Sequence, residues 1–296
     1  MITRTTNQTM ARTAQLNLQS SMSRMAKLQE QVASSAAITR PSDDPMGTAN
    51  ALKVRSEIRA NEQYTSNVSD ADGWLTLADD ALTNTTDILR RVKDLTLSAA
   101  TGTMSPNDRK AVATELAGLK TDLLREANTT YLGRTVFAGT SDTGKAFTED
   151  AAGSYNFSGS STPTTRRVDS NTLVRVDTDG EAVFGAGDNS VFRLVDNLVA
   201  DLNANNDVSG YLGKIDAAAN TVLMEHSSLG VRHAATINAK ETLADRSVSL
   251  ETRRSGIEDL DTAKVILDMK LQEVAYQSAL AITAKALQPT LMDFLR

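Results

Sequence analysis

Both ends of this chain carry the pattern of a long amphipathic helix, over residues 1–38 and 257–296. In the first segment the seam residues Leu18, Met22, Met25 and Val32 recur at coiled-coil spacing, with Gln29 at the missing step. The second segment has Ala263, Leu267, Leu271, Val274, Ser278 and Ala281 on one face, followed by an apolar tail with Leu291 and Phe294. Neither stripe has a local partner, so each must be buried against the other end, another subunit, or both. This favours a polymer subunit with the following candidate assembly interface: Leu18, Met22, Met25, Val32, Leu267, Leu271, Val274, Ala281, Leu291 and Phe294.

A proline-flanked connector, Pro41-Ser42-Asp43-Asp44-Pro45, ends the first helical segment. Each proline disfavours helix at the residue before it. Ser42, Asp43 and Asp44 are able to cap a following helix, and Pro45 suits the first helical position. Two adjacent carboxylates without a nearby third ligand make a poor metal site, so we interpret the connector as a turn between two helices.

The next segments are also helical. One apolar register predicts a helix over about 46–99, with Gly73 as a weak point, and Ser105-Pro106 predicts the capped start of another that ends near residue 130. A third register predicts a helix from about 210, for which Gly256 is the expected break before the terminal helix. These three registers are Val54, Val68, Ala71, Leu75, Ala78, Leu82, Leu89 and Val92; Val112, Leu116, Leu119 and Leu123; and Leu212, Ile215, Ala219, Val222, Leu229, Thr236, Leu243, Leu250 and Ile257.

Between the helices, the composition shifts to Gly, Ser, Thr and Asp after about residue 135. Alternating apolar residues and Asp179-Gly180 predict short strands with a hairpin turn, followed by a helix over about 191–202. The predicted fold class is therefore mainly α, with a long antiparallel bundle formed by both chain ends and a small β-rich insertion. We expect three parts: a terminal domain (1–40 with 257–296), a helical rod (41–137 with 205–256) and a variable outer domain (138–204).

No pattern of catalytic or cofactor-binding residues stands out. The chain has no cysteine, and its two histidines, His226 and His233, lie about 10 Å apart along one helix, which favours polar packing over a shared metal. We therefore expect no catalytic, cofactor or metal site. A net charge of −6 without a basic cluster, and no apolar run of ~18 residues, argue against nucleic acid and membrane as partners. Residues 1–8 do not resemble a cleaved signal peptide.

The terminal segments and the connector resemble the flagellin superfamily. The Leu132–Thr140, Ser255–Asp261 and Leu271–Leu280 segments are similar to family motifs in the same order, and the resemblance covers roughly 1–140 and 205–296. In filament flagellins the turn that matches the connector usually has the pattern Ala-x-Asp-Asp-Ala-Ala-Gly. Pro41 and Pro45 therefore favour the branch of the superfamily that joins the hook to the filament.

This resemblance implies a secreted structural adaptor at the hook–filament junction. The implied partners are neighbouring copies in a ring, a first junction protein, flagellin, and an export chaperone that engages the C-terminal region. Export would use the flagellar apparatus, without a cleaved signal peptide. Two alternatives stay open, namely a filament flagellin and, from another class, a cytoplasmic coiled-coil scaffold; an enzyme is the least favoured class.

Overall fold

The structure is a computed structural model that describes residues 7–150 and 153–286, without the side chains of 7, 8, 285 and 286. The described residues form seven α-helices: α1 (Asn7–Ser34), α2 (Pro45–Ala100), α3 (Pro106–Ala127), α4 (Gly180–Phe184), α5 (Val191–Asn203), α6 (Tyr211–Glu258) and α7 (Thr262–Ala286). They also form six strands: β1 (Thr130–Tyr131), β2 (Arg134–Thr135), β3 (Phe147–Glu149), β4 (Tyr155–Phe157), β5 (Thr165–Arg167) and β6 (Leu173–Arg175). The predicted fold class, mainly α with a small strand-containing middle region, is confirmed.

The chain divides into two compact units. One contains residues 1–60 and 247–296, and the other contains residues 61–246. The larger unit holds a continuous core that joins parts of α2, α3, α5 and α6 with the strand-containing segment.

The two long helices α2 and α6 follow the predicted apolar registers, and all the predicted stripe residues of α2 are buried. Six of the nine predicted stripe residues of α6, among them Ile215 and Leu250, are buried as well, whereas Leu212, Ala219 and Ile257 are half-buried. The predicted break at Gly256 is wrong, because α6 continues to Glu258. An exposed glycine costs a helix only about 1 kcal/mol, whereas Asp261 provides a true start signal for α7 by accepting from the Lys264 backbone N–H at 3.0 Å.

Helix α3 begins as predicted, because the Ser105 hydroxyl accepts from the backbone N–H of Asp108 and the Asp108 carboxylate accepts from the backbone N–H of Ser105. The predicted weak point Gly73 has a packing role instead. A Cβ atom at this position would lie 2.6 Å from the hydroxyl of Tyr131, whose ring meets Trp74 edge-on at 5.7 Å. Gly73 therefore leaves room for the hairpin that follows α3.

The strand-containing middle consists of three separate antiparallel hairpins, β1–β2, β3–β4 and β5–β6. The predicted hairpin turn at Asp179-Gly180 is wrong. Asp179 is the N-cap of α4, and its carboxylate accepts from the backbone N–H groups of Glu181 and Ala182. Aspartate favours both turns and helix starts, so the dipeptide alone does not distinguish them. A cluster of aromatic rings joins this segment to α4 and α5: Phe137, Phe147, Tyr155, Phe157, Phe184 and Phe192.

Candidate assembly interface

The terminal helices α1 and α7 pack against each other in antiparallel orientation. Thr9, near the start of α1, shares a surface groove with Ile282, near the end of α7. Lys27, near the end of α1, shares another groove with Asp268, near the start of α7. The predicted pairing of the two chain ends is therefore present within one chain.

The seam between α1 and α7 has coiled-coil spacing and mixes large apolar side chains with small and polar ones. Gln272 even donates across it to the backbone carbonyl of Ser21, at 3.4 Å. Among the residues described in these two helices, no side chain is fully buried. The half-buried positions at this spacing are Ala11, Ala14, Leu18, Ser21, Met25, Leu28 and Val32 in α1 and Val265, Met269, Gln272, Tyr276, Ala279 and Thr283 in α7. Because these side chains are only partly covered, the seam stabilises the pair less than a closed core would.

Helix α7 has a second seam on the side that faces away from α1. Leu267, Leu271 and Val274 are 59%, 60% and 61% exposed, respectively, and Ala281 is exposed as well. Their spacing of four, three and seven residues follows the same heptad as the inner seam, displaced around the helix. A helix that is apolar on both sides is characteristic of the interior of a larger assembly.

The N-terminal half of the predicted interface divides between two faces. Leu18, Met25 and Val32 lie in the seam with α7, whereas Met22 is 53% exposed and Leu28 occupies the inward position instead of the predicted Gln29. Residues 21 and 22 lie about 100° apart around the helix, so only one of them faces α7, and the structure places the small Ser21 inward. The structure thus separates a contact within the chain from a free surface that contains Met22. Leu291 and Phe294 lie outside the described residues.

The proline-flanked connector has the predicted capping geometry. The Asp44 carboxylate accepts from the backbone N–H of Gly47 at 2.8 Å, and Pro45 is the first residue of α2. Asp43 pairs instead with Lys27 of α1 at 3.0 Å, and this hydrogen bond is the main cause that lowers the pKa of its carboxyl group. Asp44 therefore caps the start of α2, whereas Asp43 binds a side chain near the end of α1.

A row of charged and polar side chains links α2 to α6 beside the core. His226 lies 2.8 Å from Asp79, while His233 and Lys240 lie 3.1 Å and 2.9 Å from Asp72. The hydrogen bonds from Lys240 and then from His233 lower the pKa of Asp72. Sequence analysis predicted polar packing for the histidines but missed their partners, although the two aspartates share the histidines' seven-residue spacing.

Within residues 7–150 and 153–286, no group of three or more His, Asp or Glu side chains is arranged to hold a metal ion. In the same part of the chain, no helix combines the length and apolar character needed to cross a bilayer.

The chain combines long paired helices, a terminal seam whose side chains are only partly covered, and an exposed apolar face on α7. These are features of a subunit of a helical polymer. Residues 6–142 match the family described as the bacterial flagellin N-terminal helical region, and residues 212–295 match the bacterial flagellin C-terminal helical region. The chain belongs to the flagellin family, and the predicted membership is confirmed.

Curated relatives come from two branches of this family. Flagellar hook-associated protein 3 of Salmonella typhimurium is 25% identical over 279 residues, covering 86% of this chain and 87% of the relative. Flagellin FlaB2 of Treponema pallidum is 26% identical over 262 residues, covering 88% of each chain. The crystal structure of a flagellar hook-associated protein-3 from Legionella pneumophila has the same fold, with a TM-score of 0.60 at 19% identity over 69% of this chain and 98% of that one. These comparisons place the chain among the structural proteins of the flagellum and support the predicted adaptor role.

Proposed function

We propose that this protein is a non-catalytic adaptor that joins the hook to the flagellin filament. It would form a ring of identical copies between a first junction protein and flagellin, and a chaperone would engage its C-terminal region during export without a cleaved signal peptide. The observation that carries the proposal is the exposed seam of α7, which a single chain leaves without a partner. The near full-length match to a hook-associated protein 3 supports the place in the flagellum.

The outer seam is the larger source of assembly energy. Burying the exposed part of each of Leu267, Leu271 and Val274 contributes roughly 1–2 kcal/mol. The inner seam offers less, because its side chains are only partly covered and alanine, serine, threonine and glutamine stand among its leucine, methionine, valine and tyrosine residues. We therefore propose that α1 and α7 are weakly held in the free chain and become firmly ordered when a neighbouring subunit covers α7.

The three-part organisation expected from sequence belongs to the same proposal. Residues 1–40 with 257–296 would form the assembly-ordered layer, 41–137 with 205–256 the supporting helices, and 138–204 the solvent-facing part. Limited proteolysis of the free protein tests the first of these. We expect trimming from both ends to a core near 40–256, whereas ends that resist protease would contradict weak terminal packing.

Seeded assembly tests the role of the outer seam. Purified protein is incubated with and without hook ends that carry the first junction protein, and both samples are imaged by electron microscopy. We expect a short, self-limiting layer on the seeded ends only, and no layer with the Leu271→Asp/Val274→Asp double variant, because charges would enter a buried interface. Both side chains are about three-fifths exposed, so the variant should keep the wild-type melting temperature.

Val231→Asp is the matched control, since Val231 is an equally apolar, 72% exposed residue on α6 outside the proposed interface. Wild-type assembly of the α7 double variant would refute the interface. A filament flagellin is the second candidate, because the Treponema pallidum flagellin matches this chain as extensively as the hook-associated protein does. Long filaments without seeds would favour that candidate.

A further inference from the structure

A second, smaller hydrophobic cluster lies apart from the main core of the larger unit. In the described part of the chain, the main core takes in α2 from Ala71 onward and α6 as far as Leu229. The second cluster continues along the same two helices and adds the hairpin formed by β5 and β6. Its buried members are Val68 of α2, Leu243 of α6, and Val168 and Val174 of the hairpin. The hairpin therefore packs against both helices beyond the edge of the main core.

Polar contacts fasten the hairpin to α2. The Nδ2 of Asn67 donates to the backbone carbonyl of Arg167 at 2.8 Å. Next to it, the Nε of Arg166 donates to the carboxylate of Asp70 at 2.5 Å, and both of these side chains are half-buried. Salt screens a partly buried ion pair less than an exposed one. These two contacts join residues 100 and 96 positions apart, so they hold β5 against α2 through tertiary packing.

On the other side, Arg232 of α6 holds the end of the hairpin where β6 leaves it. Its Nη1 donates to the backbone carbonyl of Asp177 at 2.6 Å and to that of Arg175 at 3.4 Å. The buried carboxylate of Asp177 closes this end of the hairpin. It accepts two hydrogen bonds from the Arg175 guanidinium, at 3.1 and 2.9 Å, and one from the Thr164 backbone N–H at 2.7 Å. Helix α6 therefore grips a well-connected part of the hairpin.

The same contacts cap both free edges of the hairpin. Its antiparallel register directs the carbonyl groups of Arg167 and Arg175 outward, one on each edge. Asn67 donates to the first carbonyl and Arg232 to the second. An uncapped edge is a template for a strand of another chain, so seating the hairpin on the two helices also protects it from such pairing.

We propose that residues 165–175 form a hairpin brace, which clamps α2 to α6 beyond the main core and opens as a local unit while that core stays closed. Its apolar cluster is small and separate from the main core, and this is characteristic of a segment with its own, lower opening free energy. Part of the segment expected to form an outer domain thus supports the helical rod. This role is a property of the single chain, so it holds for a junction protein and for a filament flagellin alike.

Hydrogen exchange of the full-length protein, followed by mass spectrometry, tests the hairpin brace. Val174→Ser removes apolar contacts from the second cluster and places a hydroxyl group there. We expect exchange to rise about tenfold in the hairpin itself, in 61–70 of α2 and in 236–246 of α6, because all three segments share this cluster. Exchange in 78–99 and 106–127, which belong to the main core, should stay at the wild-type rate.

Leu173→Ser is the matched control. Leu173 precedes Val174 on the same strand and faces the opposite way, so it is 58% exposed whereas Val174 is 8% exposed. This change should leave all of these segments at the wild-type rate. If Val174→Ser proves too unstable to purify, Arg232→Lys keeps the charge but loses the guanidinium group that meets both carbonyls, and it should accelerate the same three segments by a smaller factor.

Three results would overturn the hairpin brace. Acceleration of the hairpin alone would show that α2 and α6 do not depend on it, and acceleration that spreads into the main core would show that it is not a local unit. Equal acceleration by Leu173→Ser would show that the second cluster is not the cause. Seeded assembly is a separate measurement, so failure of the proposed function would leave the exchange result unchanged.

Discussion

The buried polar residue Asn61 yields a sharp prediction about stability. It lies at the same heptad position of α2 as Val54 and Val68, yet it is only 3% exposed. Its Nδ2 donates to the backbone carbonyl of Leu243 at 3.1 Å, whereas its buried Oδ1 has no hydrogen-bond partner in the described part of the chain. We expect the Asn61→Leu variant to be more stable than the wild type.

The magnitude follows from three terms. Removing a buried acceptor without a partner gains about 1–3 kcal/mol, and losing the bond to Leu243 costs about 1 kcal/mol. Leucine has a similar branched shape and adds apolar burial of about 1 kcal/mol relative to asparagine. The Leu243 carbonyl lies inside α6 and keeps its helical partner. The net gain is about 2 kcal/mol, which for a unit of this size raises the melting temperature by about 4–8 °C.

Thermal and urea unfolding, followed by circular dichroism, measure this effect. Asn67→Leu is the control, because Asn67 is half-buried and both of its amide atoms are paired. Its Nδ2 donates to the Arg167 carbonyl at 2.8 Å and its Oδ1 accepts from Gln63 at 3.0 Å, so this change loses hydrogen bonds without relieving an unpaired acceptor. An Asn61→Leu protein that melts at or below the wild-type temperature would refute the reasoning. It would mean that the Oδ1 atom is satisfied or that leucine does not fit the seam.

Three further predictions concern other parts of the larger unit. Gly139 has φ of +58°, and a Cβ atom there would lie 2.1 Å from the Ser160 carbonyl oxygen. Gly139→Ala should therefore lower the free energy of unfolding, measured in urea, by about 2–4 kcal/mol, and a loss below about 1 kcal/mol would contradict this geometry. Lys240 lowers the pKa of the Asp72 carboxyl group, so the charged carboxylate stabilises the fold at pH values above the unfolded pKa near 3.8, and this stabilisation is lost as pH falls through the folded pKa. Asp72→Asn should therefore reduce the acid sensitivity of unfolding between about pH 5 and 2, and an unchanged pH profile would count against this role of Asp72. Burial raises the pKa of Tyr155 to about 12, so the contribution of its neutral hydroxyl to stability is fully present below pH 10 and is lost as pH rises toward 12. Tyr155→Phe should reduce this alkaline loss, measured as the difference in melting temperature between about pH 9 and pH 11. An equal loss in the wild type and the variant would exclude this tyrosine as its cause.

The long helices of the core were predictable because their side chains obey one strong constraint. In α2 and α6 an apolar residue returns every three or four positions over many turns, and the opposite face is polar, so only one face is suitable for burial. Local start signals were equally informative where proline follows the capping residue, because proline fits the first position of a helix. Ser105 before Pro106 and Asp44 before Pro45 are such cases, and both cap a helix as expected.

Other features could not be predicted, because the same residues suit two alternative structures and their spacing does not decide between them. Asp179-Gly180 suits a hairpin as well as a helix start, and contacts with the Phe137 backbone accompany the second outcome. The sequence did not predict which face of α7 contacts α1, for a related reason. The helix has apolar residues on two sides, so the more apolar side, with Leu267 and Leu271, suggested the partner face, although the chain places the weaker side against α1.

This inversion is informative about assembly. A helix that served only intramolecular folding would place its most apolar face against its own partner, since that choice buries the most surface. Helix α7 instead turns a mixed face toward α1, with Met269 and Tyr276 but also Gln272 and Thr283. It leaves Leu271 and Val274 free. Folding of the single chain therefore gains little from α7, while contact with a neighbour gains more. Because contact with a neighbour stabilises α7 more than folding of the single chain does, the chain ends would stay adaptable before assembly and become fixed after it. This is the behaviour expected of a subunit added at the tip of a growing structure.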